Sequence, residues 1–432
     1  MSIDSNEILI GNAIVYTLTL LYFLRRYKTF NTGTFLLSLF VFSAWSSVGF
    51  YNQPGFIMSN SGAARISVEP FVYLYTVLML FLYPFITFRS DKITNIILPD
   101  KSKMMLFVKA ATILNFYSIL LLIPEYGKIS GMDWADVRNS QMTADGIIFW
   151  FTGTLLSKFF GLALSLAPLT LTLSAFLYFT KNIKSKWSSF SFYSTCSVVL
   201  MFNLLLAGRG IILMYFLFLV FLFFLYKNFI LQKTKRKMKL LAIIVSVPFV
   251  LFFIAVTVSR FQDAAMFEMY RYAGDPMLNF NGLMYNGLRG QGNGEFYFNI
   301  ITKLFRPNEM PFTGTDKWLY IEAKTGVDAH IFYTFVGGLM FEFGKVGTFI
   351  TALLFFIVSK IVLHRNEIIN LSGILFYGVY SYIFINGVCL FVSQSATGNF
   401  MLISPFLLMW YFKSRRKKQK LLTMVDNNNV IN

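Results

Sequence analysis

Five arginines stand in segments that we predict to lie on one side of a membrane: Arg138, Arg209, Arg260, Arg271 and Arg289. Arginine carries a permanent charge and a planar fork of N–H donors that matches the oxygens of a phosphate or diphosphate. The group therefore favours binding of a phosphorylated or diphosphate-linked ligand presented from the membrane. The alternative is that these arginines pair with acidic residues of the same segments and hold the loops together.

Arg209 is the strongest single candidate among them. It lies in a very short turn between two apolar stretches, with the sequence AGRG at positions 207–210. Gly208 and Gly210 would let the backbone bend sharply and approach a neighbour closely. An arginine at the edge of lipid is unfavourable without an anionic partner or ligand, so a structural ion pair is the alternative.

His330 is a candidate general base. It lies in the sequence DAHIFYTF, and the chain has only 2 histidines. An imidazole titrates near neutral pH and can accept a proton from an attacking hydroxyl. A structural role is the alternative, and Asp275, Asp328 and Glu342 are competing bases.

Aromatic and amide side chains accompany the arginines in the same region. Tyr272 and Asn281, together with Asn279 and Tyr285, could stack on sugars and form hydrogen bonds with them. The same residues could equally pack the loop in which they lie.

Familiar cofactor motifs are missing from the sequence. There is no Walker A loop and no HExxH motif, and the 2 cysteines, Cys196 and Cys389, both lie in apolar runs. The sequence therefore predicts chemistry that needs no metal, nucleotide or other cofactor. Charged residues are nearly absent from the middle of the apolar runs, which weighs against an ion-coupled transporter.

The elements that must position these residues are membrane-spanning helices. The chain is 56% hydrophobic, contains 51 phenylalanines and is 13% charged, whereas a soluble domain is about 25% charged. Runs of about 20 apolar residues predict roughly eleven spans. They lie at 8–24, 33–50, 71–88, 104–123, 158–180, 190–207, 211–227, 240–258, 345–363, 372–390 and 399–412. Because the last run is short, twelve spans or ten spans are the alternatives to eleven.

Four basic segments set the predicted orientation. They are RRYK at 25–28, KNIKSK at 181–186, KTKRKMK at 233–239 and KSRRKKQK at 413–420. Loops rich in Lys and Arg stay in the cytoplasm, so the N-terminus is predicted outside and the C-terminus inside. These loops, which we expect to contact anionic lipid, therefore account for the net charge of +18, so the charge does not indicate nucleic-acid binding.

The predicted organisation is one transmembrane domain, residues 1–423. It includes one large outer loop, 259–344, and is followed by a disordered cytoplasmic tail, 424–432. The first apolar run precedes Arg25 and Arg26 and follows no basic residue. This order is the reverse of a signal peptide, so we expect the run to remain as the first span.

Three sequence features together resemble the O-antigen polymerase family, the oligosaccharide repeat-unit polymerases. They are the glycine-flanked arginine in AGRG, the large outer loop that begins near SRFQ and contains YRYAG, and the closing segment HIFYTFVGGLMFEFG. In that loop ten residues separate Arg271 from Gly282, a spacing described for outer loops of some members. The resemblance covers most of the chain through the order of spans and loops.

The resemblance implies an all-α polytopic membrane fold similar to C-type membrane glycosyltransferases and O-antigen ligases. Such enzymes work on the outer leaflet of the bacterial inner (plasma) membrane. They transfer a growing glycan from its undecaprenyl diphosphate carrier, the donor, to another lipid-linked repeat unit, the acceptor. A flippase and a chain-length regulator are the implied partners.

In this scheme Arg209, Arg271 and His330 are the predicted catalytic residues. The arginines would stabilise the charge on the departing lipid diphosphate, and His330 would take the proton of the acceptor hydroxyl. The predicted substrate-binding residues are Arg138, Arg260, Arg289, Tyr272, Asp275 and Asn281. A ligase that moves finished polysaccharide and a flippase for lipid-linked oligosaccharide remain the alternatives.

Overall fold

The structure, a computed structural model, describes most of the chain. The described residues are 4–54, 66–132, 136–137, 155–180, 185–206, 208–230, 235–236, 251, 254, 258, 265–298, 315–364, 367–394, 396–413 and 420–423. Arg138, Arg260, nearly all of the predicted span 240–258 and the tail 424–432 lie outside these residues.

The described chain is mostly α-helical. Its helices are α1 Ser5–Tyr27, α2 Thr32–Tyr51, α3 Val68–Thr87, α4 Lys101–Ile129, α5 Leu155–Thr180, α6 Lys186–Leu205, α7 Arg209–Tyr226, α8 Ala265–Asn279, α9 Thr315–Thr325, α10 Phe335–Val362, α11 Leu371–Asn386 and α12 Ala396–Phe412. Within the described residues, 7 helices are long and apolar enough to cross a membrane, namely α1 to α6 and α10. The predicted helical character is therefore confirmed, and the long apolar helices are compatible with the predicted membrane protein, whereas the number of spans stays a prediction.

Two helices differ in extent from the predicted spans, namely α4 and α10. Helix α4 continues through Pro124 to Ile129, beyond the predicted end at residue 123. Helix α10 is interrupted at Gly344, which has φ 62° and ψ −172°. Only glycine adopts this conformation readily, so the helix breaks there. The break falls directly before residue 345, where the sequence predicts a span to begin.

A small sheet corrects the all-α prediction. Its strands are β1 Asn95–Leu98, β2 Ile368–Asn370 and β3 Lys420–Thr423, in the order β2-β1-β3. Strand β1 pairs with β2 in parallel, with Asn95 opposite Ile368, and with β3 in antiparallel fashion. The strands contain 3 or 4 residues each and lie far apart in sequence, so periodicity alone gives no signal for them.

The chain divides into two compact units. Unit 1 contains Met1–Phe88, Asp263–Leu363 and Ile383–Asn399, and unit 2 contains Arg89–Gln262, His364–Tyr382 and Phe400–Asn432. The sequence predicts a single transmembrane domain and gives no sign of this division.

Unit 2 holds the sheet and a helical group formed by α4, α5 and α6. The buried Asn115 of α4 donates hydrogen bonds to Ser194 and Thr195 of α6, at 3.3 and 2.8 Å. A neighbouring groove of about 450 Å³ has an almost wholly apolar lining of Ile113, Phe116, Tyr117, Leu120, Trp187 and Phe190. Exposed apolar side chains of this kind suit contact with lipid.

In unit 1, α8 lies against the ends of α1, α2 and α3 on one side, which we call the α8 end. Phe267 packs on Phe50 and Gly274 on Ser46, so α8 runs antiparallel to the last turns of α2. A π-helical turn, Phe280–Met284, and a final turn, Tyr285–Gly287, continue α8 toward the first turn of α3.

The close contact between α8 and α2 depends on small residues. The hydroxyls of Ser43 and Ser47 donate hydrogen bonds to the carbonyls of Ala273 and Gly274, at 2.8 and 2.9 Å. A Cβ at Gly274 would lie 2.5 Å from the carbonyl oxygen of Ser46. Only glycine permits this distance, and small residues are typical of such tight helix crossings in membranes.

Candidate functional site

Arg271 lies on α8 and is held by two neighbours of the same helix. Its Nη2 atom lies 2.9 Å from Oε2 of Glu268, and its guanidinium lies 5.6 Å from the ring centre of Tyr272. The Arg271 side chain is 38% exposed, whereas that of Glu268 is 10% exposed. The guanidinium is therefore pre-oriented and still open to a ligand. The Tyr272 ring also packs on Phe332, at 5.7 Å between ring centres.

Asp275 lies one turn after Arg271 and is buried. The residue is 7% exposed, and its Oδ1 atom has no hydrogen-bond partner among the described residues. Burial raises the pKa of the Asp275 carboxyl to about 6, although Asn279 and Arg271 act in the opposite direction. A carboxyl with this pKa can exchange a proton near neutral pH.

His330 lies in the segment between α9 and α10, and its side chain is exposed. Its backbone N–H donates to Oδ1 of Asp328 at 2.7 Å, and its Nδ1 lies 3.3 Å from the same oxygen. The ring also lies 5.9 Å from that of Trp318. Asp328 therefore stabilises the turn that contains His330. Its carboxylate has a structural role beside the imidazole and is not a free base.

Tyr333 connects the His330 segment with α8. Its hydroxyl donates to the carbonyl of Asp328 at 2.9 Å. Burial and the nearby charges of Asp328 and Asp275 raise the pKa of Tyr333. The structure thus brings Asp275 and the His330 segment to the same region of unit 1. The sequence gives no special signal for Tyr333, one of 23 tyrosines.

Glu322, Asp328 and His330 form a cluster with the spacing of metal ligands. One ligand atom from each side chain lies within 4.8 Å of the others, and all three residues are exposed. These donors could hold a divalent cation. Exposed clusters of this kind are common without one, so the cluster by itself assigns no metal, and the prediction of metal-independent chemistry stays a prediction.

Arg289 is the second predicted arginine that unit 1 places near this region. Its backbone N–H donates to the carbonyl of Thr325 at 2.8 Å, and a Cβ at Gly326 would lie 3.3 Å from its Cδ atom. The residue is exposed and forms no ion pair within the part of the chain that the structure describes. It can therefore offer its guanidinium to an anion.

Asn281, a predicted substrate-binding residue, has a structural role here. It is fully buried, its amide oxygen accepts from the N–H of Ser67 at 3.0 Å, and its amide nitrogen donates to the carbonyl of Ser67 at 2.7 Å. The amide thus fixes the residue before α3 to the π-helical turn after α8. We therefore leave Asn281 out of the proposed site.

Glu342 fixes the loop 292–297 to the interrupted helix α10. The residue is fully buried, and its carboxylate accepts hydrogen bonds from the backbone N–H groups of Gly294, at 2.7 Å, and Tyr297. The N–H groups of Gly292 and Asn293 donate to the carbonyls of Phe341 and Glu342, both at 2.8 Å. The loop thus satisfies carbonyls that the break at Gly344 leaves without helical partners.

Lys317 of α9 completes this arrangement. It is 6% exposed, interacts with the charge of Glu342, and its Nζ atom lies 5.2 Å from the ring centre of Tyr297. Two predicted competitors for the base, Asp328 and Glu342, therefore have structural partners. The sequence around Lys317 and Glu268 gives no sign that these charged residues are buried, so it predicts no role for them.

Arg209, in unit 2, is the first residue of α7, and its side chain lies outside the described part. The preceding Gly208 has φ −88°, and its N–H donates to the carbonyl of Asn203 at 2.8 Å. A Cβ at Gly208 would lie 3.3 Å from Oδ1 of Asn203, whereas a Cβ at Gly210 would meet no atom within 4 Å. A close approach is therefore seen at Gly208 and not at Gly210.

Comparisons with known proteins give no relative for this chain. No protein-family model matches it, and neither a curated protein nor a solved structure is significantly similar.

Proposed function

We propose that this protein polymerises lipid-linked oligosaccharide repeat units into a bacterial surface polysaccharide. The donor is a growing glycan on undecaprenyl diphosphate, and the acceptor is a second lipid-linked repeat unit. The observation that carries the proposal is α8, which lies against the ends of three apolar helices and holds Arg271 beside the buried Asp275. A diphosphate headgroup at a membrane surface would meet Arg271, with Asp275 one helical turn away.

The distribution of basic residues supports an outer position for the α8 end of unit 1. The opposite end of α1 carries Arg25, Arg26 and Lys28, and basic residues at a helix end favour the cytoplasm. The proposed location is therefore the bacterial inner (plasma) membrane, with the site facing the periplasm or the exterior.

The sheet of unit 2 supports the predicted span order. Its strands come from the segments after the predicted spans 71–88, 345–363 and 399–412. Segments that pair in one sheet must lie on the same side of a membrane. Each of these segments follows an odd-numbered span, the third, the ninth or the eleventh. With the N-terminus outside, the predicted order therefore assigns all three to the cytoplasm, together with the C-terminus.

The chemistry follows from the charges of the site. When the bond between the sugar and the diphosphate breaks, negative charge grows on the diphosphate oxygen. A guanidinium that is already oriented stabilises this charge, which is often the largest single contribution to such catalysis. Arg271 and Arg289, both in unit 1, are the residues proposed for this role.

Deletion of the gene in its host tests the proposal, with surface and lipid-linked glycans separated on a gel. We expect single repeat units to remain, because none is transferred to another. Long polymer that accumulates on the lipid carrier would instead indicate a ligase. Lipid-linked units that accumulate on the cytoplasmic face would indicate a flippase.

A further inference from the structure

Asp275 is a buried carboxylate of this site that forms no ion pair among the described residues. Its Oδ1 atom is buried and has no hydrogen-bond partner among the described residues. A buried polar atom without a partner destabilises a fold. Asp328 and Glu342 differ, since each accepts hydrogen bonds from backbone N–H groups. The Asp275 carboxylate is therefore available to a ligand in a way that the other two are not.

Four elements contribute titratable or charged groups around Asp275. Arg271 and Glu268 come from its own helix, and they form an ion pair with each other at 2.9 Å. Tyr333 comes from the His330 segment and Cys389 from the turn after α11, and both interact with the charge of Asp275. Asp328 of the same segment and Glu322 of α9 interact in turn with Tyr333. Because Arg271 is also paired with Glu268, Asp275 shares this counter-charge with a second carboxylate.

Of the neutral neighbours, Asn279 lowers the pKa of Asp275, and its amide also donates to the carbonyl of Phe332 at 3.1 Å. Tyr333 and Cys389 do not satisfy Oδ1 either. The Tyr333 hydroxyl donates its proton to the carbonyl of Asp328, and the Cys389 thiol donates to the carbonyl of Tyr272 at 3.6 Å. A hydroxyl of a bound sugar would supply the missing hydrogen bond.

We propose that Asp275 is the general base that activates the acceptor hydroxyl. The inference rests on the proposed function and replaces His330 in that role. The acceptor oxygen attacks the anomeric carbon of the donor while its proton moves to Oδ1 of Asp275. The bond from that carbon to the diphosphate oxygen breaks, and its electron pair leaves with the lipid diphosphate beside Arg271. Asp275 then releases the proton to water.

His330 has a different geometry. Its side chain is exposed, and its Nδ1 lies beside Asp328. Unlike Oδ1 of Asp275, its imidazole is neither buried nor without a neighbouring polar group.

The pH dependence follows from the requirement for an ionised base. Since the pKa of Asp275 is about 6, the carboxylate is the main form at pH 7. Below about pH 6 the rate should fall about tenfold for each pH unit, as the protonated form takes over.

The test uses the full-length protein in liposomes with lipid-linked repeat units extracted from the deletion strain. Asp275→Asn should lower polymer formation about 100-fold or more and abolish the fall in rate at acid pH. Asp275→Glu should restore part of the activity. His330→Ala should keep the fall at acid pH, whatever its overall rate. Asp4→Asn, the same change at the start of α1, is the control, since asparagine caps a helix as well as aspartate.

The outcomes separate this inference from the proposed function. At pH 7 the unfolding temperature of Asp275→Asn should equal or exceed that of the wild type, because a buried charge is removed. A lower unfolding temperature would assign Asp275 a structural role and overturn the inference. Normal polymer from Asp275→Asn, with the acid fall lost only in His330→Ala, would return the base to His330. A folded wild-type protein that makes no polymer would overturn the proposed function and this inference with it.

Discussion

Replacement of Arg271 by alanine is expected to lower polymer production about 100- to 1000-fold while the amount of folded protein stays normal. The guanidinium is pre-oriented by Glu268 at 2.9 Å and is 38% exposed. It can therefore meet the charge that grows on the departing diphosphate without reorganisation. Its loss leaves the carboxylate of Glu268, 10% exposed, without its partner, and because the guanidinium itself is partly exposed we expect a cost of about 1–3 kcal/mol, which a typical stability of about 5–15 kcal/mol can absorb. Complementation of the deletion strain, with glycan gels and immunoblots, measures both quantities.

Two variants sharpen this prediction. Arg271→Lys keeps the charge and loses the planar fork, so we expect intermediate activity. Arg26→Ala makes the same change at an exposed arginine of the opposite end of α1, where the side chain contacts the hydroxyl of Tyr22 at 2.9 Å; polymer should be normal. Wild-type polymer from Arg271→Ala would remove Arg271 from the site. The sequence predicts the same loss for Arg209→Ala.

Replacement of Glu342 by alanine is expected to have the largest effect on folding. The buried carboxylate accepts hydrogen bonds from Gly294 and Tyr297, and Lys317 lies beside it. Each hydrogen bond to a charged group contributes about 1.5–3 kcal/mol. Loss of two bonds is therefore about 3–6 kcal/mol, a large part of a typical stability of about 5–15 kcal/mol. In detergent the unfolding temperature should fall by roughly 5–10 °C.

The matched control for Glu342 lies in the same loop. Glu295 is partly exposed and pairs with Lys324 at 3.0 Å, so Glu295→Ala should change stability by less than about 1 kcal/mol. Glu342→Gln keeps one acceptor oxygen and should fall between Glu342→Ala and the wild type. Equal unfolding temperatures for Glu342→Ala and Glu295→Ala would show that Glu342 does not hold the loop.

Much of the helical framework follows from the sequence, because long apolar runs form helices wherever lipid is the solvent. Even the break in α10 is signalled, since Gly344 precedes Lys345 at the predicted start of a span. The sheet is not predictable in this way. Its strands are too short to show a period, and they pair over hundreds of residues.

The position of α8 is an intermediate case. Phe267, Tyr270, Gly274, Met277 and Asn281 each contact α1, α2 or the start of α3, and they follow one another at intervals of three and four residues. This is the period of one helix face. The pattern could have revealed an amphipathic helix inside the predicted outer loop, although nothing in it identifies the helices that α8 contacts.

The roles of single polar residues depend on burial, which the sequence does not report. Asn281 and Asp275 both suit sugar binding by residue type. In the structure the Asn281 amide forms hydrogen bonds with the backbone of Ser67, whereas Oδ1 of Asp275 has no partner among the described residues. Chemical type therefore identified the region, and only the fold separates its structural residues from its reactive ones.

The most direct test of the central claim is polymer formation by the purified protein alone. The protein would be reconstituted in liposomes with lipid-linked repeat units from the deletion strain, without nucleotide and with a metal chelator. We predict a ladder of lipid-linked products that lengthens with time, since the diphosphate-linked donor already carries the energy for transfer. Single repeat units that remain unchanged in the presence of folded protein would contradict the account.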